Sequence, residues 1–203
     1  MSTVDILEFD RRALSNANRI VARVTDDQLE APTPCADWDV RALLVHMAGN
    51  NNGWADAAEG KPPNAAVWAG ADLGVGPVAE YGKSADRVAA AFAAEGILER
   101  MFEVHGFGSF PAPTAIGMHV IDYLVHGWDV AVAIGAEPGL DPELCAAVLR
   151  IGARWPRDAA SIWGPGAPFG YRVAVSSDAP PDHRMLGFLG RSPSWPDLGR
   201  TQR

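Results

Sequence analysis

The sequence predicts a mainly all-α protein: four or five helices followed by a short C-terminal α/β extension. Three observations carry this. Apolar residues recur at steps of three and four along much of the chain, as they do on one face of a helix. Prolines, glycines and capping residues stand where such segments should begin and end. Alternation with a period of two is read only at Tyr171–Ser176, where Val173 and Val175 share a side.

The elements follow in order. Ile6, Phe9, Ala13, Ala17, Ile20 and Val24 place an amphipathic first helix over residues 5–24. The segment 31–36, with Pro32 and Pro34, cannot continue it, because each proline removes a donor and biases its predecessor to extended backbone. Asp37 is the expected N-cap of a second helix, with Asp39 in its first turn and Val40, Leu43, Leu44 and Met47 as its apolar stripe. That helix should run past Asn50–Asn52 toward Gly60, and Lys61–Pro77, rich in Gly, Pro and Ala, reads as a long surface loop. A third helix is expected from Pro77 through Met101, weakened at Gly96 and broken by 106–113. Thr114 should cap a long fourth helix that stops at Gly135, a residue suited to the left-handed position beyond a helix end. Asp141 and Pro142 open a fifth helix to about Trp155, and Asp182–Leu189 makes a short last one. The expected organisation is therefore a helical bundle over residues 1–155 and a short extension over 156–203 packed on it.

Composition bounds the function. The 203 residues are enough for one hydrophobic core with a small appendage. At 48% apolar and 21% charged, the chain has a globular rather than a disordered composition. A net charge of -8, with 17 Lys and Arg that never form a basic stripe, argues against nucleic acid as a partner, whose phosphates dominate such affinity. No apolar run has the length of a membrane span, and residues 1–12 show no secretory h-region. The two cysteines, Cys35 and Cys145, form no CxxC, which fits neither a thiolate zinc site nor a disulfide framework and suggests a reducing cytoplasm.

The chemistry concentrates on the fourth helix. His119, Asp122, His126 and Asp129 are spaced three, four and three, and at roughly 100° per residue they share an arc of about 80°. A bundle helix usually shows an apolar stripe there. Asp122 and His126, at i and i+4, can aim an oxygen and an imidazole nitrogen at one point, as paired histidines do in zinc helices. His46, in the apolar part of the second helix, is the best candidate for a third ligand, because facing bundle helices commonly share a metal. Two histidines and one carboxylate leave coordination positions open, the pattern of catalytic sites. The bland alternative makes His46 a satisfied core histidine, His126 a hydrogen-bonding neighbour, and Asp122 and Asp129 the solvated face of a helix.

Thr33-Pro34-Cys35-Ala36-Asp37-Trp38-Asp39-Val40-Arg41, Leu43-Leu44-Val45-His46, and the run from Asp122 to His126-Gly127-Trp128-Asp129 resemble the mycothiol-dependent maleylpyruvate isomerase family of the DinB/YfiT-like superfamily. Arg184-Met185-Leu186-Gly187-Phe188-Leu189-Gly190-Arg191 resembles the ending of a small actinobacterial branch described as metal-binding proteins. The resemblance implies a DinB/YfiT-like antiparallel four-helix bundle holding one divalent metal through His46, Asp122 and His126. Zinc is the first expectation for the ion, with nickel, iron or manganese as alternatives. Asp122 stands where the isomerase has Glu, one methylene shorter in reach. The resemblance further implies mycothiol as cosubstrate: coordination favours the thiolate, which attacks an electrophilic carbon and ends as a transfer or a cis-trans isomerisation. The partners so implied are a small-molecule thiol, an electrophilic substrate and, as in many superfamily members, a second copy in a homodimer. The tail after Trp155 is shorter than the isomerase's C-terminal domain.

Other residues carry secondary expectations. His119 and Asp129 are candidates to orient a ligand imidazole from behind. Arg184 and Arg191 offer forked donors suited to carboxylates of a thiol cofactor or an acidic substrate. Cys35 has no basic neighbour in sequence to activate it and is expected to pack. No GxSxG elbow, P-loop or dinucleotide fingerprint occurs. The competing class is a non-catalytic metal-binding bundle in which a closed, four-ligand ion is structural or sensory.

Overall fold

The computed structural model describes residues 3–156 and 159–196. Helix α1 (Thr3–Val21) buries Ile6, Phe9, Ala13, Leu14, Ala17, Ile20 and Val21 along one stripe. It ends before the expected Val24, because Arg23 and Val24 donate to the carbonyls three residues back, Ile20 and Val21, and tighten the chain out of the α-helix.

Helix α2 (Val40–Ala58) starts at Asp39, whose Oδ1 accepts from the Ala42 amide at 2.7 Å. The expected cap, Asp37, lies in the turn before it. There the Trp38 amide donates to the Cys35 carbonyl at 2.8 Å, and the Thr33 hydroxyl donates to the Trp38 carbonyl at 2.7 Å. These bonds commit residues 33–38 to a knot of turns, and the first residue free to cap is Asp39.

The 61–77 loop contains a one-turn helix, α3 (Ala65–Trp68), capped by Asn64. It returns onto α2, where a Cβ on Gly49 would lie 2.5 Å from the Gly70 nitrogen, and one on Gly53 would lie 2.4 Å from the Trp68 ring. Helix α4 (Pro77–Phe92) has its proline in the first turn as expected but ends nine residues short of Met101. Gly96, at φ 69°, turns the chain into a 3₁₀ segment, and an unpredicted hairpin follows. Its strands are β1 (Met101–Val104) and β2 (Gly108–Pro111), with Phe102 opposite Phe110 and Val104 opposite Gly108. The alternation is in the sequence: Phe102 and Val104 are buried while Met101 and Glu103 are exposed.

Helix α5 (Ala112–Ala133) grows directly out of β2, two residues before the expected cap Thr114. It closes as its sequence predicts. Gly135 sits at φ 67°, its amide bonds Val132, and the Ala136 amide reaches the Ala131 carbonyl at 2.8 Å, a Schellman ending. Most of α5 is buried, as for a helix at the centre of a core. It packs on α1 and α2, and α4 packs on α2 and α1, so four long helices surround one interior. Gly127 faces Ala17 of α1, where an added Cβ would lie 3.4 Å from that of Ala17, at ordinary contact distance. Arg87 of α4 ties to α2 through Asp56 at 2.5 Å and Glu59 at 3.0 Å.

The chain divides into two compact units, Met1–Pro138 and Gly139–Arg203. In the second unit, α6 (Pro142–Gly152) is capped by Asp141, as expected, and packs on α7 (Pro181–Phe188). The faces of α6 and α7 fit each other closely: a Cβ on Gly152 would meet the Phe188 ring at 2.2 Å. Trp155, Trp163, Phe169 and Phe188 cluster there, with the Arg172 guanidinium 4.4 Å from the Trp163 ring centre. The strand expected at Tyr171–Ser176 does not form. Val173 instead donates its amide to Gly187 of α7, and Tyr171 is exposed, so the alternation has no partner strand to satisfy. Among the described residues, no helix is long and apolar enough to cross a membrane.

Candidate metal centre

Helices α2 and α5 bring His46, Asp122 and His126 together, with one donor atom from each lying within 4.8 Å of the others. The two α5 residues are one turn apart, and His126 Nε2 is 3.3 Å from Asp122 Oδ1. The His46 ring crosses that of His126 edge to face at 5.0 Å. Trp38, from the turn before α2, lies 4.5 Å from the His46 ring centre and 6.2 Å from that of His126, and so forms an aromatic wall over both imidazoles.

Asp122 and His126 each favour the other's charged form. Burial alone would raise the Asp122 carboxyl, but the charge and hydrogen bond of His126, with His46 and Asn50, hold it well below the usual carboxylate range. Burial likewise opposes charge on His126, yet Asp122, then Asp129 and Cys35, push its imidazole well above its ordinary value. A proton on His126 Nε2 thus occupies the direction from which a cation would be bound.

Behind His126, its Nδ1 donates to Asp129 Oδ2 at 3.0 Å, and the Cys35 thiol donates to the same oxygen at 3.3 Å. Asp129 is fully buried. Cys35 is therefore more than packing: it belongs to a chain of bonds ending on a candidate ligand. His119 lies elsewhere. It is buried against Tyr123 at 4.2 Å, its Nδ1 pairs with Asp10 of α1, and its Nε2 faces Asn51 at 3.4 Å. Arg184 and Arg191 belong to the second unit, where Arg184 is exposed on α7 and Arg191 is buried, donating to the Leu189 carbonyl at 2.9 Å.

Asn50 escaped the sequence reading. Its amide nitrogen donates to His46 Nε2 at 3.1 Å and to Asp122 Oδ2 at 2.9 Å, linking the two helices at the centre. The same i, i+4 rule that selected Asp122 and His126 on α5 selects His46 and Asn50 on α2. A separate cleft of about 820 Å³, lined by residues including Gly49, Asn52, Asp56, Leu73 and Arg87, includes none of His46, Asp122 or His126.

A family model described as the mycothiol maleylpyruvate isomerase N-terminal domain matches residues 11–131. Two curated relatives, uncharacterized proteins from the H37Rv and CDC 1551 strains of Mycobacterium tuberculosis, are each 34% identical over 192 residues. The match covers 93% of this chain and 99% of theirs. Among solved structures, a mycothiol-dependent maleylpyruvate isomerase is similar with a TM-score of 0.59 at 14% identity. A histidine-to-alanine mutant of that enzyme is similar with a TM-score of 0.62 at 13% identity. Each alignment covers 75% of this chain and 70% of the other. These likenesses establish a shared helical-bundle fold.

Proposed function

The chain belongs to the family of the mycothiol maleylpyruvate isomerase N-terminal domain, and from that premise we propose a divalent-metal enzyme that uses mycothiol in S-transfer or thiol-assisted cis-trans isomerisation. The observation that carries this reading is the convergence of two imidazoles and one carboxylate from two facing helices. The donor set fits such an ion: nitrogen and carboxylate oxygen at one point, with Asp129 bonded behind His126 as ligand histidines commonly require. His126 is shared with a second group of possible ligands, Cys35 and Asp129, which lie on its Nδ1 side, while its Nε2 is the nitrogen near Asp122.

A divalent ion held by His46, Asp122 and His126 would favour the thiolate form of an incoming thiol, which is the nucleophile. The protein's own groups prepare for this. Asp129 fixes the His126 tautomer by taking its Nδ1 proton in a hydrogen bond, so Nε2 is the nitrogen turned to the centre. Trp38 shields both imidazoles from water on one side. The thiolate sulfur would add to the electrophilic carbon of a conjugated C=C bond, the C–S bond forming as the π pair moves onto the activating carbonyl, and the resulting enolate takes a proton from solvent when the adduct is to be released. If the adduct is released, the outcome is transfer; if a bond rotates and the sulfur leaves again, the outcome is isomerisation and the thiol is regenerated. Zinc is the ion we place first, the cytoplasm the compartment, and a homodimer the assembly.

The test is metal content by plasma mass spectrometry on untagged protein, then calorimetric titration of mycothiol into the metal-loaded form. The expected result is one ion per chain and thiol binding that disappears in His46→Ala or on metal removal. One tightly held ion with no thiol binding would overturn the thiol-using reading in favour of a non-catalytic metal-binding bundle. Unchanged metal content in His126→Ala would overturn the ligand set.

A further inference from the structure

We propose that Asn50 is a fourth ligand of the metal centre, binding through its side-chain oxygen, and that the centre accordingly suits a five- or six-coordinate ion. The inference rests on the three-residue metal reading above and extends it. In the structure, the Asn50 amide nitrogen donates to two lone pairs at once, His46 Nε2 and Asp122 Oδ2. With the amide nitrogen so placed, Asp122 Oδ2 accepts, and His46 Nε2 accepts in the tautomer that carries its proton on Nδ1, so both partner atoms turn lone pairs toward Asn50. Those are the lone pairs a cation would take, and a cation there would repel the amide nitrogen. Turning the amide about its last torsion exchanges nitrogen for oxygen with no movement of the backbone, and puts an acceptor where the donor stood.

The separations agree with a shared coordination sphere. Donors in adjacent positions of an octahedron with bonds of about 2.1 Å lie about 3.0 Å apart, and tetrahedral ones about 3.4 Å. The Asn50 amide is 3.1 Å from His46 and 2.9 Å from Asp122, and Asp122 is 3.3 Å from His126. These are also hydrogen-bond lengths, and Asp122 meets Asn50 through Oδ2 and His126 through Oδ1, so the distances are compatible with a shared sphere and the i, i+4 placement carries the argument. Helical spacing gives the same answer independently: His46 and Asn50 on α2, like Asp122 and His126 on α5, form an i, i+4 pair, so each helix contributes two adjacent donors. Four nitrogen and oxygen donors without sulfur leave one or two positions for a thiol in a five- or six-coordinate ion, and none in a tetrahedral one.

The experiment uses cobalt(II) as the probe on the full chain and compares wild type with Asn50→Leu, which keeps the shape but removes the oxygen, and Asn50→Asp, which keeps it. Affinity comes from competition with a chromophoric chelator, coordination number from X-ray absorption and visible spectra, and folding from circular dichroism. The expected result is a loss of affinity of about tenfold or more in Asn50→Leu, with one fewer oxygen or nitrogen neighbour, and recovery of both in Asn50→Asp. Wild type that takes up no cobalt overturns the metal reading and this proposal with it. Wild type that binds cobalt with four neighbours or fewer, or with an unchanged coordination shell in Asn50→Leu, overturns the fourth ligand alone. Should Asn50→Leu fail to fold, the wild-type coordination number and the Asn50→Asp spectrum still decide.

Discussion

Replacing Asp129 by Asn tests whether His126 is a metal ligand oriented from behind, and its size can be worked from the structure. The His126 Nδ1–Asp129 Oδ2 bond is 3.0 Å long and both residues are buried, so water cannot replace the lost charge. Loss of such a supporting group costs roughly 10–100-fold in metal affinity, about 1.4–2.7 kcal/mol. Asn keeps a carbonyl oxygen for the same N–H but loses the charge that strengthens it. Asp129→Asn should therefore fall near the tenfold end and Asp129→Ala near the hundredfold end.

The pH dependence makes the prediction sharper. His126 is raised well above 6.5, with Asp129 among the causes, after burial, which opposes the shift, and after Asp122, which drives it. Metal uptake must displace this proton, so wild-type affinity should rise about tenfold per pH unit until His126 is neutral. In Asp129→Asn the proton leaves more easily, so its affinity levels off at lower pH. The deficit should be small in mild acid and reach its full size only in mild alkali. Zinc dissociation constants from chelator competition across that range measure it. No deficit, or one independent of pH, would refute His126 as the ligand that Asp129 supports.

Four further outcomes follow from the fold. In the metal-free protein the Asp122 contribution, with its pKa lowered from 3.8, holds above that value and disappears as pH falls through the lower folded one; the His126 contribution, raised from 6.5, holds below that value and disappears as pH rises through the higher one. The melting temperature with chelator should thus decline on the alkaline side, and saturating zinc should reverse that decline, since the ion binds neutral His126; parallel curves would contradict the pairing. Gly49→Ala should destabilise by about 1–3 kcal/mol despite better helix propensity, because its Cβ would meet the Gly70 backbone at 2.5 Å. A melting temperature within error of wild type would show that the loop gives way. Asp39→Ala should cost about 0.5–2 kcal/mol in urea denaturation, whereas Asp37→Ala should cost nothing measurable. His119→Gln should lower stability by about 1–3 kcal/mol through its buried partner Asp10, yet leave metal stoichiometry unchanged; loss of metal would place His119 in the centre after all.

What the sequence made legible, and what it hid, divides along the range of the interaction concerned. Gly135 and Asp141 were readable because a Schellman ending and an Asp cap are satisfied within five residues. Asp37 and Asp39 were not separable by the same rule, since both can cap; the choice was made by Thr33 reaching across to Trp38. The hairpin at 101–111 was obscured by treating its glycines as breakers, when Gly106 and Gly108, at φ 78° and 98°, allow the turn between two alternating segments. The Tyr171–Ser176 alternation was genuine but lacked a partner strand, which no local pattern reports. At the centre, Asp122 and His126 share a helix, so their convergence could be read directly. His46 required the guess that α2 faces α5. His119, Asp122 and Asp129 share one stripe of α5, but a stripe is wider than a site: α1 supplies Asp10 on one side, α2 supplies His46 on another, and the neighbour, not the spacing, decides which residue is drawn where. Asn50 carries no charge to mark it as a ligand, although its i+4 relation to His46 is as plain as that of Asp122 to His126. If an amide there completes the coordination sphere, then the useful pattern in such bundles is a pair of i, i+4 donors on each of two helices, and a lone histidine on a facing helix should prompt inspection of the residue one turn beyond it.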